Sequence, residues 1–115
     1  MLAAFLCTVA WVADGDTMRC RGGQLVRLAG IDAPERGACP RWRRCVEGNG
    51  DAARRALIAL ARNRTFRCAP VGRSYNRVVA WCSADGRDLS CTMVAAGAAR
   101  PWPRYWQPAR CRPGR

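Results

Sequence analysis

Two short acidic segments stand out in a strongly basic chain: "DGDT", residues 14–17, and "IDAPE", residues 31–35. They hold Asp14, Asp16, Asp32 and Glu35. The other acids suit different duties, with Asp51, Asp85 and Asp88 as helix caps or turn residues and Glu47 in a loop. Carboxylates brought together repel one another unless a cation or a proton lies between them. The chain has no histidine and no C-x-x-C spacing, so an oxygen-only donor set favours a hard ion, Ca²⁺, with Mg²⁺ as the alternative. Two side chains cannot fill a Ca²⁺ shell of about 6–8 oxygens, so water and a substrate phosphate would have to complete it. Two arginines belong in the same argument. Arg27 lies within "LVRLAG" and Arg77 opens "RVVAWC", both in segments that should enter a core, where an unpaired guanidinium is costly. Each either forms a structural ion pair with a nearby carboxylate or grips a phosphate through its planar fork of donors.

These residues need elements that bring them together. Residues 5–13 form an apolar run rich in β-formers, and 16–20 and 24–30 read as two further strands joined by the turn "RGG". If the latter two pair as a hairpin, Asp16 opens one strand and Asp32 follows the end of the other, so the two lie side by side. Pro34 cannot join a central ladder, and 36–50 reads as a Gly/Pro/Arg loop. A helix follows with Asp51 as N-cap and Ala53, Ala56, Leu57 and Leu60 on one apolar face. Residues 65–70 and 77–82 are strands around "VGRSYN", "ADGRD" is a tight turn, and "DLSCTMVAAG" is a helix capped by Asp88 and stopped by Gly97. Three strands, a helix, two strands and a helix predict an α+β fold: a five-stranded OB-type β-barrel with two helices and a Pro/Arg/Trp-rich tail. The 115 residues are read as a single domain with its core at roughly 5–100 and a basic aromatic tail over 101–115. Such barrels bind oligonucleotides or oligosaccharides on one face.

Composition narrows the partners. All 20 basic residues are arginine against 8 acids, a net charge of +12 that draws polyanions: nucleic acid, an anionic membrane surface or acidic polysaccharide. No apolar run is long enough to span a membrane. Eight cysteines in so short a chain predict a disulfide framework and an oxidising compartment, so the protein is expected to be secreted or periplasmic, and a monomer. Cys39–Cys45 would close a short loop, Cys7–Cys20 and Cys68–Cys82 each flank a hairpin, and Cys91–Cys111 remains to pin the tail. The opening "MLAAFLCTVAWVA" resembles the apolar part of a leader but has no basic start, and reads as the strand that delivers Asp14. In the tail, arginines interleave with Trp102, Tyr105 and Trp106. Such a mixture can stack bases and pair phosphates, or simply cover the barrel end. Partial burial of Trp102 and Trp106 is expected, with the arginines solvated.

"DGDT" followed by "RLAGIDAPE", a helix and "YNR" before a strand resembles the staphylococcal nuclease (thermonuclease) family over roughly residues 7–100. The resemblance implies that Asp16 and Asp32 hold Ca²⁺ together with the backbone carbonyl of Ala33, while Asp14 acts through a water. It further implies that Glu35 positions or deprotonates the attacking water and that Arg27 and Arg77 bind the scissile phosphate. Family members cleave DNA and RNA to 3′-phosphate products. This chain departs from the pattern in having Ala33 for threonine, Arg73 where an acid is frequent, and Asn76 where glycine is usual. Asn76 is expected to take the positive φ of that turn. The long C-terminal helix of the family gives way to the tail and Cys91–Cys111. Two other readings stand beside this one. A non-catalytic OB module binding nucleic acid or peptide would usually lack the acidic ligands or the glutamate. A cationic, disulfide-rich, membrane-active peptide would have no organised carboxylate cluster.

Overall fold

A computed structural model describes residues 3–112. Residues 1–2 of the apolar opening run and 113–115 of the tail, including Arg115, lie outside the described residues. The elements run β1 (Phe5–Asp14), β2 (Thr17–Cys20), β3 (Leu25–Leu28), β4 (Ile31–Asp32), α1 (Gly50–Ala61), β5 (Thr65–Ser74), β6 (Arg77–Ala84), β7 (Arg87–Asp88), α2 (Leu89–Ala95), β8 (Arg100–Pro101) and a 3₁₀ turn (Pro108–Cys111). Five of the strands follow the order β3-β2-β1-β5-β6, and β3 then pairs in parallel with β6 to close the ring. This is the expected five-stranded OB-type barrel in an α+β fold. No helix among the described residues is long and apolar enough to cross a membrane.

The barrel interior is filled by Val9, Val12, Met18, Val26 and Leu28, with Leu57 of α1 and Met93 of α2 closing the ends. Two bulges in β1, between Val9 and Trp11 and between Val12 and Asp14, shift its pairing with β2. Each inserts an extra residue and sharpens the twist, so the strand coils as it approaches Asp14. The carbonyls of Val12 and Ala13, at the second bulge, accept instead from Arg54 Nε (2.9 Å) and Arg36 Nη1 (3.0 Å). The amide of Leu28 donates to the Asp16 carbonyl at 2.8 Å, extending the β2–β3 hairpin to the acidic residue.

Several boundaries differ from the sequence reading. β5 and β6 are longer than expected, and the two-residue pairings β4–β8 and β6–β7 carry no periodic signal at all. The cap of α1 is Asn49, whose side chain accepts from the Ala52 amide at 3.0 Å, and not Asp51. Asp51 sits in the first turn and pairs with Arg36 at 3.1 Å. At the β5–β6 turn the positive φ belongs to Tyr75 (φ 57) and not to Asn76. Asp88 does cap α2, accepting from the Cys91 amide at 3.0 Å, and Gly97 at φ 72 ends it in the left-handed region. Four disulfides pair the cysteines as expected: Cys7–Cys20, Cys39–Cys45, Cys68–Cys82 and Cys91–Cys111. They are those of an oxidising environment.

Asp88 also provides a pH test of the fold. Burial pushes its pKa up to about 6, against the opposing pull of the Cys91 and Ser90 amides. A raised acid binds its proton more tightly in the folded chain, so its stabilising share is complete below pH 3.8 and is lost as pH rises through 6. Asp88→Asn keeps the cap acceptor without the charge. It should match wild type near pH 4 and exceed it above pH 7 by up to about 3 kcal/mol, at 1.36 kcal/mol per pKa unit. Thermal melts of both proteins from pH 4 to 8 measure the difference; parallel profiles would contradict it.

Candidate active site

The hairpin and the segment leaving it place the acidic residues at one end of the barrel. Asp14 Oδ1 accepts from the Asp16 amide at 3.0 Å, the local bond of an Asx turn. Gly15 between them has no room for a side chain, because a Cβ would lie 2.7 Å from that of Ala33 and 2.8 Å from that of Ala53. The DGD turn is thereby wedged between the IDAPE segment and α1. Gly50, at the start of α1, lies against the backbone of Glu35, and a Cβ there would be 2.6 Å from the Arg36 nitrogen. Two glycines therefore let α1 support both acidic segments from behind.

Arg27 is the hub of the cluster and is only 7% exposed. Its Nη1 donates to the carbonyls of Leu28 and Ile31, while Nη2 lies 3.4 Å from both Asp16 Oδ2 and Asp32 Oδ1. Asp16 Oδ2 also accepts from the Ala33 amide at 3.2 Å, and its Oδ1 accepts from Thr17 Oγ1 at 3.1 Å. Thr17 Oγ1 in turn accepts from Arg77 Nη1 at 3.0 Å, and the other end of that guanidinium donates to Ser74 Oγ at 3.0 Å. Glu35 joins through a residue that the sequence reading did not single out. Arg43 donates Nη2 to Asp32 Oδ1 at 2.9 Å and Nη1 to Glu35 Oε1. Thus Asp14, Asp16, Arg27, Asp32, Ala33, Glu35 and Arg77 all fall within one bonded network, with Thr17 and Arg43 added to it. Nothing in the residue pattern distinguishes Arg43 from Arg41 and Arg44 beside it.

The charges are unevenly matched. Three carboxylates, Asp16, Asp32 and Glu35, share two directly bonded guanidiniums, Arg27 and Arg43, while Asp14 joins them through the Asp16 amide. Burial, then the Asp16 charge, pushes the Asp14 pKa up to about 6. For Arg43, burial acts to lower the pKa, but the charges of Asp32 and then Glu35 outweigh it and raise it. No three acidic side chains among the described residues converge tightly enough to enclose an ion by themselves. Asp16 Oδ2 and Asp32 Oδ1 converge on Arg27 Nη2, 3.4 Å from each, and this all-oxygen donor set is of the kind that fits a hard divalent cation completed by backbone, water and substrate.

Beside Arg27 opens a cleft of ≈ 520 Å³, lined by Arg73, Trp81, Trp102, Arg104, Tyr105 and Trp106 among others. The tail forms this wall because β8 pairs with β4, setting Arg100 opposite Asp32, and because the Trp102 amide donates to the Gly30 carbonyl at 2.8 Å. Trp106 is partly buried on the core as expected, with its ring 6.1 Å from Trp81, whereas Trp102, expected to be partly buried, is exposed at 42%. The Arg27 guanidinium lies 5.5 Å from the Trp102 ring centre.

The domain is thus a closed OB-type barrel with a carboxylate–arginine cluster beside a basic, aromatic cleft. The family model described as staphylococcal nuclease homologue matches residues 25–111, and the chain belongs to that family. The match begins after β2, so Asp14 and Asp16 lie before it and join the site through the hairpin geometry. No curated protein is similar enough to this chain to add a relative to the family match.

Proposed function

We propose that this protein is a metal-dependent nuclease that hydrolyses phosphodiester bonds of DNA or RNA, and that it acts in a secreted or periplasmic setting. The observation that carries the reading is the single network joining Asp16, Asp32 and Glu35 to Arg27 and Arg77. Asp16, Asp32 and the Ala33 carbonyl would hold Ca²⁺, with Mg²⁺ as the alternative ion and Asp14 acting through a water. When bound, the ion supplies Lewis-acid neutralisation of the phosphoryl oxygens.

The chain's own side chains carry the remaining work. Arg27 and Arg77 present guanidinium forks to the phosphate and stabilise the charge that grows on its oxygens in the transition state. Glu35 is the one carboxylate of the cluster that follows the Pro34 turn away from the Asp16–Arg27–Asp32 centre, and with no histidine in the chain it is the candidate base. It takes a proton from water as the new O–P bond forms; the P–O5′ bond breaks, the O5′ oxygen takes a proton from solvent water, and Glu35 returns its proton to solvent, giving the 3′-phosphate expected from the family resemblance. Trp102 and Tyr105 are exposed beside the cleft, with Arg27 and Arg104 each 5.5 Å from a ring centre, and such arginine-backed aromatics with Arg73 nearby would suit the bases and backbone charge of single strands.

Purified protein should cut single-stranded DNA or RNA with Ca²⁺ or Mg²⁺ and cease when chelator is added. Binding without cleavage under every metal would favour the second reading, a non-catalytic nucleic-acid-binding module. That alternative draws on Arg27 and Arg43 already neutralising the carboxylates.

A further inference from the structure

We propose that Arg43 is a tethered competitor of the divalent cation, presented to Asp32 and Glu35 by the loop that Cys39–Cys45 closes. The proposal rests on the metal-dependent reading above. Arg43 reaches in from a surface loop to two carboxylates of the site, at 2.9 Å from Asp32 Oδ1 and in direct contact with Glu35 Oε1. The same Asp32 oxygen lies 3.4 Å from Arg27 Nη2, so two guanidiniums share the atom that would ligate the ion. Arg27 is fixed by the barrel, its other nitrogen bonded to the carbonyls of Leu28 and Ile31. Among the described residues the Arg43 guanidinium bonds only to the two carboxylates and to no backbone carbonyl, and its neighbour Trp42 is 80% exposed.

The loop is built to keep this arginine close. The disulfide spans six positions, and the Arg43 amide donates to the Pro40 carbonyl at 3.1 Å, making a turn inside the ring. Closing a short ring around Arg43 restricts where its side chain can go and so raises its effective concentration at the carboxylates. A guanidinium and a divalent ion cannot neutralise the same Asp32 oxygen without each weakening the other's hold, and that coupling is reciprocal. Without metal, Arg43 keeps Asp32 and Glu35 from repelling each other and keeps Glu35 occupied. With metal, it leaves Asp32, and Glu35 becomes free to meet water. The consequence is a nuclease whose resting site is closed by its own arginine and opened by its cofactor.

Calorimetric titration of Ca²⁺ into wild type, Arg43→Ala and Arg43→Gln tests this without any cleavage assay, with circular dichroism checking the fold of each. Both variants should bind Ca²⁺ about tenfold to hundredfold more tightly than wild type, the usual range of coupling between competing ligands. A Cys39→Ser/Cys45→Ser double variant, which loosens the tether, should fall between them and wild type. The metal-free melting temperature of the Arg43 variants should drop while the Ca²⁺-saturated one does not. Equal or weaker Ca²⁺ binding in both variants would overturn the competition and leave the metal-dependent reading standing. Binding of neither Ca²⁺ nor Mg²⁺ by any of the proteins would overturn both.

Discussion

Glu35→Gln should lower the rate of strand cleavage by about 10²–10⁴ while leaving the fold and the binding of nucleic acid unchanged. The amide has the size of the carboxylate and keeps an oxygen that can accept from Arg43, so the Arg43 contact survives in neutral form. Glu35 also lies outside the Asp16–Arg27–Asp32 centre, where charge loss would disturb packing. What the variant lacks is an atom able to take a proton from water. Cleavage assays on single-stranded DNA, paired with binding measured in chelator, separate the two properties. A variant that cuts as fast as wild type would remove Glu35 from the reaction.

The second large effect divides the two arginines. Arg27→Met should destabilise the fold by about 3–5 kcal/mol, because it leaves buried Asp16 without its guanidinium, leaves half-buried Asp32 with Arg43 alone, and strips donors from two carbonyls. Added Ca²⁺ should return part of that loss, since the ion replaces the missing charge between the same two carboxylates. Arg77→Met should cost the fold less, about 1–3 kcal/mol, as its partners are the neutral hydroxyls of half-buried Ser74 and buried Thr17 rather than carboxylates. Both variants should lose about 10²–10³ in cleavage rate if both forks meet the phosphate. Denaturant unfolding with and without Ca²⁺, alongside cleavage assays, reads all four outcomes. An Arg77→Met protein that cleaves normally would leave Arg77 as a purely structural clip on the β5–β6 turn.

The parts of the site that could be read from the sequence are those whose geometry is local. Asp16 and Asp32 sit at neighbouring ends of a hairpin with a short turn, so strand alternation and pairing suffice to bring them together. Arg27 could be paired with them because a guanidinium in the middle of an apolar strand demands a partner. Arg43 could not be found this way. It lies in a loop with no periodicity among three arginines of one type, and only the closure of the ring by Cys39–Cys45 selects which one faces inward. Asn49 and Asp51 are both good capping residues two positions apart. What decides between them is tertiary: Gly50 must lie flat against the Glu35 backbone, so the helix starts earlier, and Asp51 is drawn outward to Arg36. Strands β7 and β8, each of two residues, carry too little pattern to be seen, although β8 is what holds the tail beside the cleft.

The four disulfides share a topological property that bears on how the chain reaches this state. Each cysteine pairs with the next one along the sequence, in spans of 13, 6, 14 and 20 positions, so no bridge encloses or crosses another. Of the roughly 105 ways to pair eight cysteines, this one can be completed strictly in order from the N-terminal to the C-terminal side. Among these eight cysteines, when Cys20 appears its partner is the one thiol still unpaired before it, and the same holds for Cys45, Cys82 and Cys111 in turn. An oxidant acting on a chain that folds in this order therefore meets one correct choice at a time. The connectivity spares this small arginine-rich barrel the reshuffling that interleaved bridges would demand.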